Sequence, residues 1–209
     1  MAFRIGCYSA VCVVCCAAAA INANEAVVFK VFESSYTYEK NGDFAKAIEK
    51  MKWLNTNTSY EANLRLGWLH YCARQYSGSI SYYEKAHSIL PGSQEAQLGM
   101  VLPLSALGYW DKVIAVYQSI LSDCPNNSAV CYKLGMVYYN SGDFKNAWLY
   151  FGKVVELYPF DYNGLLMYAW STLKIGKLRE AQGLFNKVLL CAPKDTSALE
   201  GLQIIAGKK

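Results

Sequence analysis

The sequence predicts an all-α fold, a solenoid of helix-turn-helix repeats, and three observations carry that reading. Four of the five prolines, Pro91, Pro125, Pro159 and Pro193, stand 34 residues apart with no insertion or deletion between them. Glycines punctuate the intervals at Gly108, Gly142 and Gly176, with Gly42 in the equivalent place near the start. Between these stops the apolar residues recur at spacings of three and four, which gathers them on one face of a helix. A fixed period of this length is the mark of stacked repeats, each one a supersecondary unit that cannot bury its apolar face alone.

The N-terminus reads apart from the repeats. Residues 1–23 carry one early positive charge at Arg4, an apolar stretch from Ile5 to Ile21, and small residues around Ala20 and Ala23 where a signal peptidase could cut. This segment predicts a secretory signal and hence export, periplasmic or fully secreted. An uncleaved membrane anchor is the alternative, although the stretch is diluted by alanine and falls short of the ~20 strongly apolar residues that a spanning helix needs. The "CVVC" at Cys12 to Cys15 has redox-motif spacing but lies inside this segment, so it carries no functional weight.

Five units follow, at 28–59, 60–93, 94–127, 128–161 and 162–195, the first of them two residues short. Two residues after each spaced proline come Ser93, Asn127, Asp161 and Asp195, and Ser59 holds the same phase one period earlier. A short side-chain oxygen there can accept from the free N–H groups of a first helical turn, so a helix is predicted to start after each. The mid-unit glycines predict a left-handed residue closing that helix. The second helix of each unit then opens on Phe44, Tyr76, Trp110, Phe144 or Leu178 and presents a small residue three places on: Ala47, Ser79, Val113, Ala147 or Ala181. Met51, Tyr83, Tyr117, Phe151 and Phe185 follow on the same face, with Leu54, Ala86, Ile120, Val154 and Val188 three further. In the first helices Leu66-Gly67, Leu134-Gly135 and Tyr168-Ala169 pair a large residue with a small one where neighbouring helices approach.

Three places break the pattern. Ser34-Ser35 stands where a large-small pair belongs, Arg74 replaces the turn glycine, and Pro103 falls inside a first helix, where a kink or an early break is expected. Residues 196–209, beginning "TSALEGLQIIA", open like a sixth unit and then stop, as a C-terminal capping helix would.

The period, the proline, the large-small pairs and the turn in "NGDFAKAIEKM" and "SGDFKNAWLYF" resemble the tetratricopeptide repeat over residues 28–195. That resemblance implies a right-handed superhelical solenoid with a concave groove lined by the first helices. In the family the second, fifth, ninth, twelfth and thirteenth positions of a unit tend to face the groove. Carried onto this chain, they are Phe29, Phe32 and Tyr36; Leu64, Trp68 and Tyr71; Leu98, Leu102 and Ser105; Tyr132, Met136, Tyr139 and Asn140; and Asn163, Leu166, Trp170 and Lys174. Family members that clamp a C-terminal carboxylate do so with Lys, Asn and Arg. The aromatic and apolar residues here argue for a different ligand.

Other functions find little support in the residues. The formal charge of +4 comes from 20 basic and 16 acidic residues scattered along the chain, without the basic stripe of a nucleic-acid binder. Of two histidines, His70 sits at a packing position and His87 late in a second helix. Cys72, Cys124, Cys131 and Cys191 lack the paired spacing of a zinc site, although a Cys124 to Cys131 bridge is conceivable in an oxidising compartment. No phosphate loop or Ser/His/Asp set is present, so the expectation is a chain that is not an enzyme and needs no cofactor or metal. A large apolar patch usually marks a contact surface, and Tyr, Trp and Met suit an adaptable one. The sequence therefore points to a protein-interaction scaffold that holds an apolar or aromatic segment of a protein or peptide partner. A glycan or cell-wall binding module and a self-associating homo-oligomer are the alternatives, and a membrane enters only if residues 1–23 stay uncleaved.

Overall fold

The computed structural model describes residues 23–54 and 56–207, so the expected signal segment lies almost wholly outside the described residues. Among the described residues there are eleven helices and no strands. The chain divides into two compact units, Met1–Leu54 and Asn55–Lys209. The first holds α1 (Ala23–Lys40) packed on α2 (Phe44–Met51). The second holds α3 (Tyr60–Cys72), α4 (Tyr76–Ile89), α5 (Gln94–Ala106), α6 (Trp110–Asp123), α7 (Ser128–Asn140), α8 (Phe144–Leu157), α9 (Tyr162–Lys174), α10 (Leu178–Cys191) and α11 (Thr196–Ala206). Each of these helices packs on the next in chain order, and α3 also reaches α5, which is the nearest-neighbour contact pattern of a solenoid. No described helix is long and apolar enough to cross a membrane.

Side-chain caps mark most of the helix starts. Ser59, Ser93, Asn127, Asp161 and Asp195 each accept a backbone N–H of the first turn through a side-chain oxygen. The repeated Gly-Asp-Phe turn is built the same way. Gly42 and Gly142 take φ values of 75° and 82°, which a side chain rarely tolerates, and the following Asp43 and Asp143 accept from Lys46 N and Asn146 N, each at 3.1 Å. Phe44 and Phe144 then open α2 and α8. At the equivalent place Arg74 adopts φ 58° and Gln75 N still donates to His70 O at 2.8 Å. The backbone demand of the turn thus persists without its glycine.

The core is a row of aromatic rings wedged against glycines. Tyr83 of α4 lies between α3 and α5. A Cβ added at Gly67 would come within 2.9 Å of that ring, and one at Gly99 within 2.4 Å. Phe151 sits the same way on Gly135 at 2.8 Å, and Phe185 on Gly201 of α11 at 2.3 Å. With Ala198 and Ile205 buried as well, α11 covers the apolar end of α10. The 94–127 unit departs from this scheme, because Val101 and Val113 stand where its neighbours place Gly67 or Gly135 and Ser79 or Ala147. Its two helices, α5 and α6, touch along far less of their length than α3 and α4 or α7 and α8.

Three sequence expectations change. The first helix begins at Ala23, ahead of the unit start expected at 28, so residues 23–27 extend α1. There Ser35 is fully buried and donates to Phe32 O at 2.7 Å, a hydroxyl satisfied inside its own helix. α5 runs unbroken through Pro103 to Ala106; the proline lies in the last turn, so one intrahelical bond is lost and Leu107 N still reaches Pro103 O at 3.1 Å. Cys124 and Cys131 are not bridged: Cys131 is buried in α7, while Cys124 is exposed and its sulfur accepts from Gln94 Nε2 at 3.0 Å.

Candidate protein-binding face

In the first compact unit, Phe29, Phe32 and Tyr36 lie along α1 at spacings of three and four, hence on one face. Phe29 and Tyr36 are 60% and 55% exposed, and Phe32 is half-buried.

In the second unit the same phase recurs on α3, α5, α7 and α9. Trp68 and Leu102, the ninth residues of their units, are 38% and 39% exposed. Leu64, Tyr71, Leu98, Tyr132, Met136, Tyr139, Leu166 and Trp170 are half-buried, and none of the set is fully buried. Aromatic neighbours hold these side chains in place. Trp68 and Tyr71 are 5.8 Å apart between centroids, and Tyr71 is 5.9 Å from Tyr76 at the start of α4. Tyr132 sets its ring edge against the buried Phe151 at 5.5 Å. Tyr139 meets Phe144 at 5.3 Å, and the Lys174 ammonium lies 5.8 Å from that Phe144 ring on its other neighbour. Burial pushes the Tyr132 and Tyr139 phenols above their ordinary pKa, with the Asp161 charge adding to the rise at Tyr132. Both therefore stay neutral donors through the physiological range.

Not every candidate remains equally open. Trp170 packs edge-on to Phe185 at 5.3 Å and its Nε1–H donates to Ser197 Oγ at 2.8 Å, so α11 engages it. Leu166 packs against the same C-terminal core. Ser105 is half-buried, Asn140, Asn163 and Lys174 are exposed, and these supply the polar edge of the face. His70 is buried and stacks on Tyr82 at 4.9 Å, as a packing residue does. Among the described residues no group of three His, Cys, Asp or Glu side chains could hold a metal ion.

Sequence reasoning missed two recesses. One, of about 470 Å³, opens between α6 and α7 and is lined by Met136, Trp110, Ile114 and two acids, Asp111 and Asp143. Trp110 was read as a packing residue but is half exposed there. The period left no signal of this recess, because its lining comes from two units. The other, of about 400 Å³, opens between the first turns of α7 and α9 beside Tyr132.

These features define an α-solenoid whose repeated first helices present an apolar and aromatic face. Residues 128–161 match the family model described as tetratricopeptide repeat. Among solved structures the chain is similar to a tetratricopeptide repeat protein from Parabacteroides merdae, with 21% identity, a TM-score of 0.70, and 88% of this chain and 75% of that one covered. It is also similar to MamA, with 20% identity, a TM-score of 0.65 and coverage of 78% and 90%, and to MamA from Desulfovibrio magneticus RS-1, with 16% identity, 0.64, and 81% and 98%. Identities this low show the shared fold alone. No curated protein sequence matches the chain.

Proposed function

We propose that this chain is a non-catalytic protein-interaction scaffold that holds an apolar or aromatic segment of a partner protein against the first helices of its repeats. One observation carries the reading: the ninth residues of successive units, Trp68 and Leu102, stay open to solvent on neighbouring helices, flanked by half-buried Leu64, Tyr71 and Leu98. Exposed apolar side chains in consecutive register are costly to leave wet and are what a binding surface presents. The helices that carry them are already ordered, so binding spends little entropy on the receptor side. Export to the cell envelope completes the proposal and rests on Arg4 and the apolar stretch that follows it.

The test is selection of a displayed random peptide library on the full-length chain, followed by titration of the enriched peptides against Trp68→Glu, Leu102→Glu. Enrichment of aromatic and apolar peptides whose affinity falls at least tenfold in the double variant is the expected result. Peptides of any other composition, or unchanged affinity in a folded double variant, would move the site away from this face.

A further inference from the structure

The first residue of the first helix varies among the four repeats of the second compact unit. Tyr60 OH shares a hydrogen bond with Ser93 Oγ at 2.7 Å, Gln94 Oε1 accepts from Asn127 Nδ2 at 3.1 Å, and Tyr162 OH donates to Asp195 Oδ2 at 2.5 Å. In each case the side chain reaches the N-cap residue 33 places on, tying one unit to the next. The fourth pair is Ser128 and Asp161, and no hydrogen bond joins them, because a serine side chain is too short to span the gap. Asp161 uses Oδ1 to accept from Gly164 N at 2.7 Å, and its Oδ2 has no hydrogen-bond partner among the described residues.

The space that a tyrosine fills elsewhere is open here. The recess of about 400 Å³ contains both Ser128 and Asp161 in its wall, together with Tyr132, Val154 and Tyr158, and with Lys133 beside them. Its size falls within the ~300–1,000 Å³ of small-ligand pockets.

We propose that this recess takes the phenol of a tyrosine side chain on the partner segment, standing where Tyr60 and Tyr162 stand in their own units. The ring packs against Tyr132, Val154 and Tyr158, and the hydroxyl donates to Asp161 Oδ2. A phosphate or carboxylate would meet the Asp161 charge. An aliphatic or phenylalanine side chain would displace water from Oδ2 and leave the acceptor unmatched, a cost that hydroxyl-reading sites use to discriminate. The inference names a subsite of the face proposed above, and it can fail without that reading, because a single amino-acid derivative probes it.

Amide NMR spectra of the full-length chain titrated with N-acetyl-tyrosinamide, and in parallel with N-acetyl-phenylalaninamide, provide the test. Saturable shifts of the Ala129 and Gly164 amides are expected, with the phenylalanine compound binding about tenfold more weakly. Ser128→Tyr, which fills the recess from within, should abolish the shifts and raise the melting temperature. Asp161→Asn keeps a competent cap, as Asn127 does at α7, and should bring the tyrosine compound down to the affinity of the phenylalanine one. Absence of saturable shifts at these amides, equal affinity for the two compounds, or binding that survives Ser128→Tyr would overturn the proposal. Loss of library peptides in the Trp68, Leu102 double variant should leave the tyrosinamide shifts in place.

Discussion

Units 94–127 and 128–161 are neighbours of equal length whose first helices both start on a side-chain cap, yet they are packed differently. In the second, Gly135 and Ala147 let α7 and α8 close on the fully buried ring of Phe151. In the first, Val101 and Val113 occupy the matching places, Tyr117 takes the ring position, and α5 and α6 meet over a shorter length. The difference separates two properties that a repeat pattern fuses. Period and caps fix where helices start, whereas one or two small side chains fix how closely they approach. The unit with the small side chains is the one that matches the repeat-family model.

The largest test of that comparison is Gly135→Val. Its Cβ alone would lie 2.8 Å from the Phe151 ring, a backbone-borne clash with a buried aromatic. Overpacking of this kind should cost about 2–3 kcal/mol, read as a fall of roughly 4–12 °C in Tm for a chain of this size. Val101→Ala, the opposite change in the looser unit, removes two methyl groups and should cost about 1.5 kcal/mol. Equal losses in the two variants would mean that glycine is not what brings α7 and α8 together.

A smaller effect is expected at the turns. α8 is capped by Asp143, whereas α6 starts after Tyr109 with no side-chain cap. Asp143→Ala should cost about 1 kcal/mol. Hydrogen bonds from the Asn146 backbone N–H, then from its side-chain amide, hold the Asp143 carboxyl below the usual carboxylate range. Its contribution is therefore complete above the ordinary carboxylate pKa of about 4 and fades as the pH falls through the lowered value. Denaturant melts of the wild type and Asp143→Asn should accordingly converge on acidification, and a gap that stays constant below pH 4 would show that the carboxylate charge plays no part. No such convergence is expected for substitutions at Tyr109.

The smallest effect extends the comparison to 60–93. Arg74 holds a left-handed backbone that Gly108 and Gly142 adopt freely. Arg74→Gly should gain roughly 0.5–1 kcal/mol, the relief of the side-chain clash less the added entropy of the unfolded chain. A thermal melt that shifts downward would show that the Arg74 side chain supplies more than its backbone costs.

Much of this was legible in the residues. Ser59, Ser93, Asn127, Asp161 and Asp195 stand one residue before helix starts because capping is a local interaction written in adjacent side chains. Rings and small residues could be assigned to the core because a 3.6-residue period survives the loss of three-dimensional information. What could not be read was tertiary. Nothing local showed that α1 begins at Ala23, that α5 tolerates Pro103 in its last turn, or that Trp170 is engaged by Ser197, a residue 27 positions away. The recess beside Asp161 was half legible: Tyr60, Gln94, Ser128 and Tyr162 align by period, but their reach to the next cap appears only when the helices are stacked.

The wedged rings also restrict how such a gene can be shuffled. Tyr83 requires the sixth residue of the following helix pair to be bare backbone, and Gly99 provides it. Excision of 94–127 would preserve the reading frame and every cap, yet it would bring Lys133 to that place. A splice that joined 60–93 directly to residues 196–207 would instead deliver Gly201. Units of identical length are thus not interchangeable modules, and their order along the chain is held by which ring follows which glycine.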